Sequence, residues 1–232
     1  CEITGLIPVQ ATQSGNLSVK VTELDLGETV KSLLEKASWV HGKVSANADI
    51  LIMPQNLKGE RNYEVNLQTG NDSFDILDLP FSKVVSKAKW SKNSVAFAME
   101  TNVAGGHGKL DLKYDGGQKT LLPGHLIVEK ASLKPVLKAL DVNDNLQLLD
   151  GEWSLDLPFN FDLDCFLMSA NGIVEIDQLK HGKNPLSEQI KSTVVMNNQE
   201  ITFKDIQGTL GDGQLRASAE LNLNNPERNK YK

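Results

Sequence analysis

Between Trp153 and Leu163 every second residue is apolar: Trp153, Leu155, Leu157, Phe159, Phe161 and Leu163 alternate with Ser154, Asp156, Pro158, Asn160 and Asp162. Successive side chains of a β-strand point to opposite faces, so a period of two specifies a strand with one apolar face and one wet face. Such a strand would span about 35 Å at roughly 3.3 Å per residue, well beyond the usual strand of about 5–6 residues. The pattern recurs. Val44, Ala46, Ala48, Ile50 and Ile52 alternate with Ser45, Asn47, Asp49 and Leu51; Leu110, Leu112 and Tyr114 alternate with Lys109, Asp111 and Lys113. Leu215, Ala217, Ala219, Leu221 and Leu223 alternate with Arg216, Ser218, Glu220 and Asn222. Shorter strands are expected at Leu17–Val21, Tyr63–Leu67, Ser94–Met99, Leu126–Glu129, Ile173–Ile176, Thr193–Met196 and Glu200–Phe203. Turns are expected at Gly70-Asn71-Asp72, Gly105-Gly106, Asp115-Gly116-Gly117, Pro123-Gly124 and Asn197-Asn198. Pro158 has no backbone donor, which points to an edge strand or a bulge.

The period changes to 3.6 in two places. In Glu28–Trp39, Val30, Leu33, Leu34 and Ala37 share one helical face, and in Ser132–Leu140 the same holds for Leu133, Val136, Leu137 and Leu140. Pro135 falls in the first turn, where a missing N–H does no harm. Pro185–Lys191, opened by Asn184 as a cap, is a weaker third helix. The elements also repeat. LSVKVTELDLGETVKSLLEKA followed by GKVSANADI matches HLIVEKASLKPVLKAL followed by GEWSLDLPF: strand, short helix, glycine, long strand. VSKAKWSKNSVAFAMETNVAGGHGKLDLKY and IKSTVVMNNQEITFKDIQGTLGDGQLRASAELNL form a second matching pair. Repetition of this kind predicts a sheet extended by similar units. With no linker rich in Pro, Gly or Ser, residues 1–232 read as one β-rich domain.

Composition narrows the function. A hydrophobic fraction of 40% supports a core, but aromatics make up only 6%, so that core is aliphatic. The net charge of −6, with lysines no denser than Lys87, Lys89 and Lys92, argues against a nucleic-acid partner. No run of about 18 apolar residues or signal peptide is present. A chain that opens at Cys1 is expected to be processed, with Cys1 acylated as in a bacterial lipoprotein, or cut from a longer protein. Cys1 and Cys165 could close one disulfide in an oxidising compartment. No C-x-x-C pair is present to bind a metal.

Nothing in the sequence assembles a catalytic site. His41, His107, His125 and His181 lack the i, i+2 or i, i+4 spacing that gathers ligands on one face, and read as surface or turn residues. There is no G-x-S-x-G elbow. Gly105-Gly106-His107-Gly108 opens a strand, where a phosphate loop would open a helix. Glu152, Asp156, Asp162 and Asp164 lie on or near one polar face; they could serve a β-sandwich glycosidase but read more simply as charges that keep that face wet. Trp153 shares the phase of the apolar residues and is expected to pack with them.

On these residues the chain resembles the AsmA-like family. The endings GGHGKLDLKYD and GTLGDGQLRASAELNL are similar to that family's glycine-turn strands. The stretch LPGHLIVEKASLKPVLKALDVNDNLQLLDGEWSLDL is similar to its strand, short helix and glycine-led strand. The likeness runs from about Leu17 to Leu223 and rests on apolar residues and glycines alone. It implies a mainly β fold: an elongated, curved antiparallel sheet with an apolar inner face and two or three short helices. It also implies a non-enzymatic periplasmic protein, anchored to the inner membrane at full length, that binds or conducts phospholipid or another acyl-chain lipid in support of outer-membrane assembly. No cofactor or metal is expected. The groove would be lined by Val44, Ala46, Ile50, Leu110, Leu112, Leu155, Leu157, Phe159, Phe161, Leu163, Leu215, Ala217, Leu221 and Leu223. Two alternatives stand beside it: a docking component of an envelope assembly, such as a type II secretion system, recruiting proteins along strand edges, and a carbohydrate-active β-sandwich.

Overall fold

The structure, a computed structural model, describes residues 1–33, 40–57, 61–70, 72–76, 79–91, 94–115, 121–139, 144–162, 167–198, 200–222 and 230–231. The alternating runs are strands and the chain is mainly β. Its first half holds β1 (Glu2–Leu6), β2 (Gly15–Asp25), α1 (Leu26–Leu33), β3 (Val40–Gln55), β4 (Arg61–Thr69), β5 (Asp72–Ile76), β6 (Leu79–Ser91), β7 (Ser94–Val103) and β8 (Gly106–Asp115). Its second half holds β9 (Leu121–Ser132), α2 (Leu133–Ala139), the single helical turn α3 (Asp144–Gln147), β10 (Leu149–Asp162), β11 (Leu167–His181), β12 (Asn184–Asn197), β13 (Glu200–Leu210), β14 (Gly213–Asn222) and β15 (Lys230–Tyr231).

Two compact units divide the chain: Cys1–Thr101 with Asp111–Lys119, and Asn102–Leu110 with Thr120–Lys232. In the first, β1 to β4 are hydrogen-bonded in chain order and β6 follows β4, while β5 pairs with both β3 and β6. In the second, β9 to β15 run in chain order, each strand antiparallel to the next. The matched sequence segments fold alike: β2–α1–β3 in one unit has the element order of β9–α2–β10 in the other.

Both helices start where a strand ends. Asp25 caps α1, accepting a hydrogen bond from the Glu28 N–H at 3.0 Å, with Glu28 three residues on as in a capping box. Helix α1 begins two residues before the expected Glu28, and the expected positions 34–39 lie outside the described residues. Helix α2 fills the expected window from Leu133 to Ala139. The third expected helix is absent: Pro185–Lys191 lies in β12, with Pro185 opposite Lys180 and Ile190 opposite Ile176. The neighbouring β11 supplies a ladder along the whole segment, and that long-range pairing outweighs the local cap and proline signals. Pro185 is tolerated as the second residue of that strand. Pro123-Gly124 is not a turn but lies within β9, facing Asn160 and Phe159. Nor is Pro158 at an edge: β10 runs between β9 and β11, and the register to β11 passes over Leu157 and Pro158.

Five strands carry a bulge at one non-glycine residue in the left-handed region: Glu23 (φ 50°), Lys83 (53°), Lys130 (51°), Gln178 (52°) and Asp205 (53°). Each coincides with a shift in pairing register. Four of them are held by a hydroxyl from a neighbouring strand. Ser45 Oγ accepts from the Glu23 N–H at 3.2 Å, and Ser154 Oγ accepts from the Lys130 N–H at 3.1 Å. Ser192 Oγ donates to the Lys204 carbonyl at 2.8 Å, beside Asp205. Thr101 Oγ1 donates to the Ser82 carbonyl at 3.1 Å, beside Lys83. At the fifth bulge the opposing residue is Gly151, where a Cβ would stand 2.9 Å from the Asp177 carbonyl oxygen.

Candidate functional site

Residues opposite one another in an antiparallel ladder share a face, so the register of the second unit traces its apolar surface strand by strand. On β10, Leu155, Leu157, Phe159 and Phe161 face Val128, Leu126, Gly124 and Leu122 of β9. On the other side Leu155, Phe159 and Phe161 face Val174, Ala170 and Met168 of β11. The row continues through Met196 and Val194 of β12, Ile201 and Phe203 of β13, and Leu221 and Ala219 of β14. Beyond the bulge at Asp205, Ile206 meets Ala217 and Gly208 meets Leu215. Leu157, Ala170 and Val194 are buried at the centre, with Leu126, Leu155, Phe159, Val174, Met196, Ile201 and Phe203 packed against them.

This surface is only half covered. Leu155, Phe159, Phe161, Leu215, Ala217 and Leu221 are all half-buried, and among the described residues no large side chain is fully buried. Among the described residues, the helices that pack on β10 are the short α2 and α3, at the start of that strand. A two-sided core would bury such side chains outright. The strands approach closely at Gly172, where a Cβ would collide with the Asp156 carbonyl oxygen. Trp153 shares the apolar phase, opposite Ala131 and Ile176, and its indole nitrogen is enclosed without a hydrogen-bond partner among the described residues.

The opposite face is polar. Glu152 and Asp156 are exposed there, and Asp156 Oδ1 lies 2.6 Å from His125 Nε2. Lys191 pairs with Glu175 at 2.6 Å. Lys134 of α2 bonds Asp150 at 3.1 Å, and that bond holds the Asp150 carboxyl below its usual range. Asp162 is half-buried at the strand end, and Asp164 lies outside the described residues. His41, His107 and His181 are exposed. Among the described residues no three His, Cys, Asp or Glu side chains converge. Cys1 is exposed, and Cys165 lies outside the described residues.

The sequence-derived groove residues therefore separate into sets. Leu155, Leu157, Phe159, Phe161, Leu215, Ala217 and Leu221 share one face of the second unit. Val44, Ala46 and Ile50 share a face of the first unit with Leu24, Val21 and Leu17 of β2 and with Thr69 and Val65 of β4. Leu110 belongs to the second unit and Leu112 to the first, both half-buried on β8. Leu163 and Leu223 lie outside the described residues. Val174, Val194, Met196, Ile201 and Phe203 join this surface through strand pairing, beyond the residues that the alternation marks. Apolar residues on the wet face, such as Ile173 at 41% exposure and the half-buried Val195, blur the period of two there. Comparison with family models, curated proteins and solved structures gives no match for this chain.

Proposed function

We propose that the chain is a non-enzymatic envelope protein whose apolar sheet face binds acyl-chain lipid, in the manner that its resemblance to AsmA-like proteins implies. The observation that carries this reading is the half-covered apolar face of the second unit, continuous from Leu122 on β9 to Leu221 on β14. A continuous apolar face left partly open on a folded protein suits a binding surface. This one is built from Leu, Val, Ile, Ala, Met and Phe. It suits a ligand recognised by area, at about 0.8 kcal/mol per buried CH₂, with no directional polar contact. A periplasmic location and a role in outer-membrane assembly belong to the same proposal and rest on the resemblance.

The test introduces charge on the face. In an open face, water reaches a carboxylate at position 159 or 221, so the fold survives and lipid is lost. In a sealed core, the unpaired charge unfolds the domain. Phe159→Asp and Leu221→Asp are expected to keep a cooperative thermal transition and to lose co-purifying lipid by mass spectrometry. Unfolding of both variants, or folding with undiminished lipid, defeats the reading. A stable complex with another envelope protein and no lipid would favour the docking alternative.

A further inference from the structure

We propose that one end of the first unit docks onto the surface of a phospholipid bilayer, independently of whether the apolar face of the second unit binds lipid. The β1–β2 connection and the segment after β3 meet at this end. Leu6 pairs with Asn16, and Gly15 with Ile52, so both chain reversals lie past the same strand ends. They are tied together by the Gln55 N–H, which donates to the Ala11 carbonyl at 2.8 Å, and within the first connection Pro8 lies close against Gly15. On this frame stand large aliphatic side chains with almost no protein contact: Val9 is 94% exposed and Leu57 108%, with Leu6 and Ile7 beside Val9 also exposed.

Two further observations point to a bilayer. No charged residue lies between Glu2 and Lys20, nor between Asp49 and Lys58, in a chain that is 23% charged. The β1–β2 connection is thus free of groups costly to bring toward acyl chains, while Leu57 is followed directly by Lys58, whose long side chain can hold its charge at headgroup depth. Behind them, on the strands of the same end, Tyr63 is 52% exposed and Trp90 61% exposed. Tyr63 faces Ile52, and Trp90 faces Val65, two residues further along β4. Aliphatic tips backed by Trp and Tyr match the layering of a membrane interface, where amphipathic rings sit at headgroup depth. A protein partner would need a complementary surface, whereas insertion of free-standing side chains needs none.

The experiment uses vesicles of dioleoylphosphatidylcholine, whose zwitterionic surface gives no net charge attraction, and the chain with Cys1 unacylated. The protein is expected to float with the vesicles, nearly independently of salt. Trp90 emission should shift to the blue and be quenched by phosphatidylcholine brominated high on its acyl chains. A Trp90→Phe variant should lose that quenching, separating it from Trp39 and Trp153. Val9→Asp with Leu57→Asp should lower partitioning at least tenfold with an unchanged melting temperature, because both side chains are solvated in the free protein. Wild-type protein that stays with the aqueous phase, a double variant that floats equally, or Trp90 emission indifferent to brominated lipid overturns the proposal. So does self-association through these tips, abolished by the same double variant, without flotation.

Discussion

At the scale of single residues, the polar face carries isolated surface pairs. The Lys134–Asp150 pair joins α2 to β10, and the bond from Lys134 lowers the carboxyl's pKa in the folded state. A group whose folded pKa is depressed adds stability at pH values above its unfolded pKa of about 3.9, and that stability disappears as the pH falls through the folded value. Both side chains are about half exposed, so the pair contributes no more than a few tenths of a kcal/mol. Lys134→Met is accordingly expected to lower stability to urea slightly at neutral pH, with the difference from wild type vanishing in acid. A difference that grows on acidification would show that Lys134 acts through something other than Asp150.

At the scale of elements, the repeat seen in the sequence has a physical content that apolar periodicity does not reveal. GKVS and GEWS open β3 and β10, and in each the serine three residues after the glycine holds the bulge of the preceding strand, at Glu23 and at Lys130. The glycines are needed because neighbouring backbone approaches closely: a Cβ at Gly42 would lie 2.7 Å from Phe74 Cα. Ser45→Ala and Ser154→Ala are each expected to cost about 1 kcal/mol by leaving the bulge N–H without its acceptor. Lys130→Gly should be neutral or stabilising, because φ 51° suits glycine, whereas Lys130→Val should destabilise by about 1 kcal/mol or more. Equilibrium denaturation of the three Ser and Lys positions checks this order; a stabilising Lys130→Val would remove the left-handed bulge from the account. The expected helix at Pro185–Lys191 belongs to this scale too: local signals favoured it, and pairing with β11 decided otherwise.

At the scale of the whole molecule, sheet is plentiful and covering helix is scarce among the described residues. Helices α1 and α2 have eight and seven residues, and α3 has four. The native protein is therefore expected to enhance the fluorescence of anilinonaphthalene sulfonate while keeping its near-ultraviolet circular dichroism, and a long-chain phospholipid should displace the dye. Loosely packed states also bind this dye, but they lose the near-ultraviolet signal. A native protein that leaves the dye dark would mean that the apolar faces are covered.

Strand identity and facing were written in the sequence where the alternation is clean, but β1, β5 and β6 and the start of β12 were not. The alternation from Trp153 to Phe161 and from Leu215 to Leu221 is a local property, since each peptide turns its side chain opposite to the last. The positions of α1 and α2 were legible for the same reason, a period that a short segment carries by itself. Register was not. Which strand lies beside which, and where a bulge slips the pairing by one residue, depends on partners distant in the chain, so Val194 and Phe203 could be placed beside Leu157 only after folding. Tertiary structure also decided that Leu6, Ile7, Val9 and Leu57 meet at one end with Tyr63 and Trp90, because strand pairing alone brings residues 6–9 and 57 together.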